Sequence, residues 1–115
     1  MRQESDVYLH HIIEAIESIE KQIRGMTEEQ FYDSEVIRRF VERKLEIIGE
    51  ASKRISEEFK NQYPKVPWEK MAGIRNVIIH EYEDIDTAII WDTITQHLPS
   101  LKKQIEGLFK LKRAA

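Results

Sequence analysis

The sequence contains no cysteine, only four glycines and three prolines, and no long apolar stretch. The absence of cysteine excludes disulfides, zinc fingers, iron–sulfur clusters and thiol nucleophiles. No segment approaches the roughly 18 consecutive apolar residues that cross a bilayer, and the first residues lack the apolar core of a signal peptide. We therefore expect a cytoplasmic protein that does not enter a membrane.

An excess of positive charge is also missing. The 18 Lys and Arg residues are outnumbered by 21 Asp and Glu residues, and the formal net charge is −3. A protein that binds duplexes regardless of sequence normally carries a basic strip that releases counterions from the phosphates. The charge therefore argues against general DNA binding, and no DNA partner is expected. It is compatible with a small basic cleft that binds one phosphate.

Apolar residues at helical spacing are the main feature that the sequence does have. The first series advances in steps of three and four residues: Leu9, Ile12, Ile16, Ile19 and Ile23. Gly25 is placed to end this helix. Alternating strand patterns and internal repeats are absent, and the length of 115 residues suits one domain over residues 1–115. We predict an all-α, up-and-down bundle of four to five helices.

Several helix boundaries can be predicted from capping residues. Thr27 and Gln30 have the spacing of a capping box, which should open a short turn of helix. A second start at Ser34 should begin a long helix that runs to about Asn61. Gly49 inside that helix costs about 1 kcal/mol relative to alanine. A glycine in such a position indicates the close approach of a neighbouring backbone.

The second half of the chain predicts two further helices. Pro67 suits the first turn of a third helix, where its missing amide costs nothing. This helix should carry Trp68 towards the core and fray near Glu81-Tyr82. Asp86 can cap a fourth helix, in which Pro99 should cause a bend.

A polar cluster on the third helix is the main candidate site. Asn76 and His80 are four residues apart and share a helix face. Arg75 and His80 are five apart, about 140° around an ideal helix. A long guanidinium or a helix that loosens at His80 could bring the two groups together. Two chains could also supply them across a symmetric interface.

These residue types suit the cleavage of RNA without a metal. His80 can act as base or acid near neutral pH, and Arg75 offers a permanent charge and donors that match phosphate oxygens. Asn76 could orient the imidazole, and Tyr82 could stack on a base. A histidine at a helix end also caps carbonyls, and a lone arginine is usually a solvated charge. Spacing alone therefore leaves the catalytic and the structural interpretations open.

Other candidates have simpler interpretations. His10, His11 and Glu14 could be metal ligands, but the chain has no Glu-x-x-His pair, so we expect neither a metal site nor a cofactor. His97 is interpreted as a helix-end residue. A basic strip alternates with acidic residues, which favours ordinary ion pairing. The strip consists of Arg38, Arg39, Arg43 and Lys44, and the acidic residues are Glu35, Glu42 and Glu46.

Several blocks taken in order give the chain a resemblance to a known family. The blocks are Tyr8-Leu9, Lys44–Ala51, Tyr63-Pro64, Pro67-Trp68, Ala72–Asn76, His80–Tyr82, Ile85-Asp86, Trp91 and Leu98-Pro99. Over residues 6–108 the chain resembles the HepT-like branch of the HEPN superfamily. The combination of Ile47–Ala51 with Arg75–Tyr82 is the most specific part of this resemblance. The charged start of the second helix, residues 35–43, departs from the more apolar start that the family would lead us to expect.

The resemblance implies a function that composition does not. HEPN proteins are helical bundles, commonly homodimers, and many are metal-independent endoribonucleases whose Arg and His motifs line a cleft between subunits. Arg75 and His80 fall on the two defining positions of that motif, and Asn76 on its usual polar position. Tyr82 occupies the place of a tyrosine that a partner nucleotidyltransferase adenylylates. An AMP group there would add negative charge and repel RNA.

We therefore predict the toxin of a toxin–antitoxin pair, with RNA as substrate and a minimal nucleotidyltransferase as antitoxin. The alternative is a catalytically silent dimer that binds the nucleotidyltransferase. It is favoured by the acidic net charge, which is poor for the capture of RNA. A purely structural bundle would leave the polar cluster of Arg75, Asn76 and His80 unexplained.

Overall fold

The computed structural model describes residues 4–74 and 87–114, and these residues form helices joined by short connections. The helices are α1 (Glu4–Ile23), α2 (Glu28–Asp33), α3 (Glu35–Arg54), α4 (Glu57–Gln62), α5 (Trp68–Ala72), α6 (Thr87–Asp92) and α7 (Leu98–Ala114). A π-helical segment, Thr93–His97, joins α6 to α7 and is called the π turn below. No strand occurs within the described ranges. The prediction of an all-α fold is confirmed.

The core lies where α1 packs against α3 and α7. Leu9, Ile12, Ile16 and Ile19 on α1 are all 0% exposed, as is Ile105 on α7. The three-and-four spacing of these isoleucines puts them on one stripe of α1, and burial of each contributes roughly 1.5–3 kcal/mol. The described helices include none that is both long and apolar enough to cross a membrane.

The end of α1 and the starts of the next two helices follow the predicted signals. Gly25 has a φ of +79°, a left-handed conformation that glycine adopts without a steric penalty. The Thr27 hydroxyl accepts a hydrogen bond from the Gln30 amide at 3.1 Å, and the Thr27 amide donates to the Gln30 side chain at 2.9 Å. Ser34 caps α3 by accepting from the Ile37 amide at 3.3 Å. The capping box and the second helix start are therefore confirmed.

The predicted long helix to Asn61 is wrong, because α3 ends at Arg54. Ile55 is extended, with φ −73° and ψ 134°. Ser56 then caps α4 by accepting from the Phe59 amide at 3.1 Å. Ile55 and Phe59 are both buried on the core side, so the apolar spacing continues across the break and conceals it. A serine hydroxyl that captures a backbone amide offers the chain an alternative to a continuous helix.

The close approach predicted at Gly49 is confirmed, and the neighbour is α5. A β-carbon at Gly49 would lie 3.4 Å from Ile74 Cγ2, 3.6 Å from the Ala72 oxygen and 3.7 Å from the Met71 oxygen. Pro67 stands immediately before α5, within one residue of its predicted place. The rest of the predicted third helix, its fraying near Glu81–Tyr82, and the Asp86 cap lie outside the described residues.

Pro99 disturbs its helix through the π turn that precedes it. Proline lacks an amide hydrogen, and its ring clashes with the carbonyl four residues earlier, here that of Thr95. The Thr95 hydroxyl donates to the Trp91 oxygen at 2.7 Å, and the Thr93 hydroxyl donates to the Ile89 oxygen at 2.8 Å. Such back-bonding also distorts helices. The structure therefore shows a widened turn just before the proline, and the bend predicted at Pro99 itself stays a prediction.

Candidate functional site

The residues predicted to carry the chemistry, Arg75, Asn76, His80 and Tyr82, lie outside the described residues. The structure does describe the chain on both sides of them, from α5 to Ile74 and again from Thr87. The candidate site is therefore built from the residues that hold the two ends of this segment and from the surface beside it.

The residue before Arg75 is anchored in the core. Ile74 is 7% exposed, its amide donates to the Met71 oxygen at 3.2 Å, and its Cγ2 lies against the backbone of Gly49. Gly73 donates to the Glu69 oxygen at 2.9 Å and continues α5 to this point. Ile74, the last described residue before the motif, is therefore held against α3.

The far end of the segment is anchored through α6. Ile90 is 2% exposed. The Trp91 ring packs against the Phe31 ring of α2 with centroids 5.4 Å apart. The described chain is thus buried at Ile74 before the motif and at Ile90 after it.

A groove of about 510 Å³ opens beside the end of α5 and has its opposite wall in the π turn and α7. We call it the α5–α7 groove. Its apolar lining comes from Pro67, Met71, Ile74, Leu98 and Leu101. Its polar lining comes from Lys70, Thr93, His97, Ser100 and Gln104. The lining includes Gly73 and Ile74, so the groove adjoins the point where the motif begins.

Two polar contacts shape this groove. His97 Nε2 lies 3.2 Å from Asp92 Oδ2. Gln104 donates from its side chain to the Lys65 oxygen at 3.1 Å, which ties α7 to the loop before α5. His97 was predicted to be a helix-end residue, and it does end the π turn, where its side chain also has an acidic partner.

The basic strip on α3 engages mainly in contacts within the chain. Arg39 lies 2.8 Å from Glu35 and Arg43 lies 3.4 Å from Glu46, so the ion-pairing interpretation is confirmed for these two. The hydrogen bond from Arg39 and its charge lower the pKa of Glu35 below its usual value. The Arg38 guanidinium lies 5.8 Å from the centroid of the Tyr32 ring.

The histidines of α1 engage aromatic rings. His10 stacks on Phe109 with centroids 4.6 Å apart, and His11 meets the Tyr8 ring edge-on at 6.1 Å. Across residues 4–74 and 87–114 no group of three or more His, Asp or Glu side chains is arranged to hold a metal ion.

Sequence reasoning missed Lys70 and the pairing of Asp92 with His97. The sequence signal for the pair was the five-residue spacing of Asp92 and His97, with two threonines between them and Pro99 just after. In a regular helix that spacing separates two side chains by about 140°. Only a π turn, which closes hydrogen bonds between residues five apart, makes the spacing favourable for contact.

Proteins of similar sequence indicate the family of this chain. The model of the family described as ribonuclease HepT-like matches residues 12–108. The chain is 42% identical over 110 residues to a Thermococcus cleftensis protein named "probable ribonuclease HepT", covering 96% of this chain and 100% of that protein. It is 40% identical over 103 residues to a protein of Caldanaerobacter subterraneus subsp. tengcongensis named "putative RNase", covering 90% and 92% of the two chains.

A third relative is matched over only about half of its length. The chain is 37% identical over 105 residues to a Methanocaldococcus jannaschii protein named "gamma-glutamylcyclotransferase and putative RNase". This match covers 91% of the chain and 47% of that protein. None of the solved structures compared with the chain matches it. Because the family model matches most of the chain, and full-length relatives do so as well, the chain belongs to the ribonuclease HepT-like family of the HEPN superfamily.

Proposed function

We propose that this protein is a metal-independent endoribonuclease and the toxin of a toxin–antitoxin pair. The observation that carries the proposal is the family match over residues 12–108, which spans the whole Arg75–Tyr82 motif. The names of the relatives, which describe ribonucleases, support RNA as the substrate. We treat residues 1–115 as one domain that acts in the cytoplasm.

In the proposed reaction, His80 removes the proton from a 2′-hydroxyl of RNA. The 2′-oxygen attacks the adjacent phosphorus and the bond to the 5′-oxygen breaks, leaving a 2′,3′-cyclic phosphate and a 5′-hydroxyl that takes up a proton. Arg75 stabilises the charge that develops on the phosphate oxygens, because its planar guanidinium offers paired donors. Asn76 orients the imidazole or binds a phosphate oxygen. The proton that leaves the 2′-hydroxyl balances the one that the 5′-oxygen takes up, so this transesterification consumes no water.

A homodimer would bring two copies of the motif to one cleft. The five-residue spacing of Arg75 and His80 places them about 140° apart on an ideal helix, and a symmetric interface allows one chain to supply groups to the other's site.

Tyr82 is proposed as the regulatory residue. A minimal nucleotidyltransferase would transfer AMP from ATP to the Tyr82 hydroxyl and release pyrophosphate. The added phosphate charge and the bulk of the nucleotide would exclude RNA from the neighbouring cleft. The test is incubation with the nucleotidyltransferase and ATP, with a mass increase of one AMP group expected in the parent. An unchanged mass increase in Tyr82→Phe would contradict the assignment.

The second candidate function is a catalytically silent dimer that binds the nucleotidyltransferase. The formal net charge of −3 favours it, because an acidic protein attracts RNA poorly at long range. Expression of the chain alone separates the two candidates. Growth arrest that the nucleotidyltransferase relieves would support the toxin, whereas normal growth with stable complex formation would support the silent dimer.

RNA cleavage in EDTA by the purified protein is the direct test of the nuclease. We expect activity in the parent and its loss in both Arg75→Ala and His80→Ala, each purified in the same way. His11→Ala and Arg24→Ala are matched controls, because both residues are exposed and lie on or next to α1. These controls should keep parental activity. Equal activity in all five proteins would indicate a contaminant or another site.

A further inference from the structure

The π turn places an aspartate beside a histidine next to the candidate site. Asp92 and His97 are five residues apart, and a π turn closes hydrogen bonds at that spacing. One such bond runs from the Leu98 amide to the Thr93 oxygen. The result is the 3.2 Å contact between Asp92 Oδ2 and His97 Nε2. An α-helix would have turned the two side chains away from each other, and π turns are frequent at functional sites.

The α5–α7 groove presents His97 on one wall and Lys70 on the other. The described side chains that line it include no Asp or Glu. The groove therefore combines a cationic and a titratable side chain with an apolar surface. Met71, Ile74 and Leu101 form this surface. Its volume of about 510 Å³ falls within the range of roughly 300–1,000 Å³ for small-molecule sites. This combination suits a nucleotide, which has an apolar base and an anionic phosphate.

The groove is continuous with the motif along the chain. Ile74 contributes to the groove lining and Arg75 is the next residue. Consecutive Cα atoms are about 3.8 Å apart, so the arginine begins one residue beyond the groove. We take the phosphate at Arg75 and the nucleotide in the groove to belong to one RNA strand.

We propose that the α5–α7 groove binds the nucleotide of single-stranded RNA that flanks the scissile phosphate. Lys70 and His97 bind its phosphate, Asp92 holds the imidazole, and the base packs on Met71, Ile74 and Leu101. The inference rests on the proposed ribonuclease function and adds to it a second subsite for the substrate. Bases stack or pack on such surfaces regardless of sequence, so the subsite would add affinity more than specificity.

The test measures binding separately from cleavage. A fluorescently labelled single-stranded RNA with 2′-O-methyl groups throughout cannot be cleaved through its 2′-oxygens, so its Kd can be measured by anisotropy at several salt concentrations. We compare the parent with Lys70→Gln and His97→Gln. Lys103→Gln is the matched control, because Lys103 is exposed on α7 and is not among the groove residues. Lys70 and His97 are exposed as well, so the variants should fold, and thermal unfolding verifies this.

We expect a severalfold weaker Kd for Lys70→Gln and for His97→Gln, and a parental Kd for the control. One lost phosphate contact should lower the slope of log affinity against log salt by about 0.7, the value for single strands. A parental Kd and salt slope in both groove variants would overturn the proposal, as would a parent that does not bind this RNA. Parental RNA binding with weakened nucleotidyltransferase binding would also overturn it, and would assign the groove to the protein partner.

Cleavage of an unmodified RNA distinguishes failure of this proposal from failure of the nuclease. A higher KM with nearly parental kcat in Lys70→Gln is expected for a flanking subsite. If the parent cleaves RNA and both groove variants keep parental kcat and KM, the groove proposal fails while the nuclease stands. If the parent binds the uncleavable RNA through Lys70 and His97 but cleaves nothing, the nuclease proposal fails while the groove remains a binding site for RNA.

Discussion

Replacing Gly49 by alanine measures how tightly α5 packs on α3 beneath the candidate site. The alanine Cβ would lie 3.4 Å from Ile74 Cγ2, with the Ala72 and Met71 oxygens at 3.6 and 3.7 Å. These are ordinary contact distances, so no atom has to move far. Alanine gains about 1 kcal/mol over glycine inside a helix, and the buried methyl group adds about 0.8 kcal/mol. Gly49→Ala should therefore be more stable by roughly 1–2 kcal/mol.

Thermal unfolding followed by far-ultraviolet circular dichroism is the assay. The unfolding entropy is about 2.1 cal/mol/K per residue, so a chain of 115 residues shifts its Tm by about 4 °C for each kcal/mol. The expected rise for Gly49→Ala is about 4–8 °C. Gly107→Ala on α7 is the matched control, because a Cβ there meets no atom within 4 Å. It should gain only the helix propensity, about 4 °C.

A larger side chain should reverse the sign. Gly49→Leu extends beyond Cβ into Ile74 and the α5 carbonyls, and overpacking of this kind costs about 1–3 kcal/mol. RNA cleavage should fall as well, since the leucine would displace Ile74, the residue immediately before Arg75. A Tm below that of the parent for Gly49→Ala, together with a raised Tm for Gly107→Ala, would refute the reasoning. It would mean that α5 needs the bare backbone of Gly49.

Two further predictions concern contacts at the ends of the bundle. Thr27→Ala removes the side-chain cap of α2 and should cost about 1 kcal/mol, a fall of about 4 °C in Tm; an unchanged Tm would contradict a stabilising role of the cap. Lys102 Nζ lies 3.0 Å from Glu20 Oε1, and this hydrogen bond is the main cause that raises the pKa of Lys102. A raised pKa means that the stabilisation is complete below the ordinary lysine pKa of about 10.4 and is lost as the pH rises through the folded-state value. Urea unfolding between about pH 9 and pH 11 should therefore show a smaller loss of stability in Lys102→Met than in the parent, and equal losses would contradict the assignment.

The fold class and several helix ends could be predicted from the sequence, because these depend on local interactions. The spacing of the α1 isoleucines determines which face is buried, whatever the helix packs on. Gly25 and the Thr27–Gln30 capping box act within a few residues, so their signals could be identified without the fold. The family resemblance could also be identified without the fold, and it placed Arg75 and His80 on the defining positions of the motif.

Three features depended on how the helices pack together, so they could be identified only in the folded structure. At Ile55 the apolar spacing favours one continuous helix, whereas the Ser56 hydroxyl favours a new start, and packing of both segments on the core selects the break. The partner of Gly49 is another such case, because a glycine signals a close approach but does not identify the neighbour. The α5–α7 groove is the third. Lys70 and His97 belong to distant parts of the chain, and only the packing of the helices and the extra residue in the π turn bring them to the same surface.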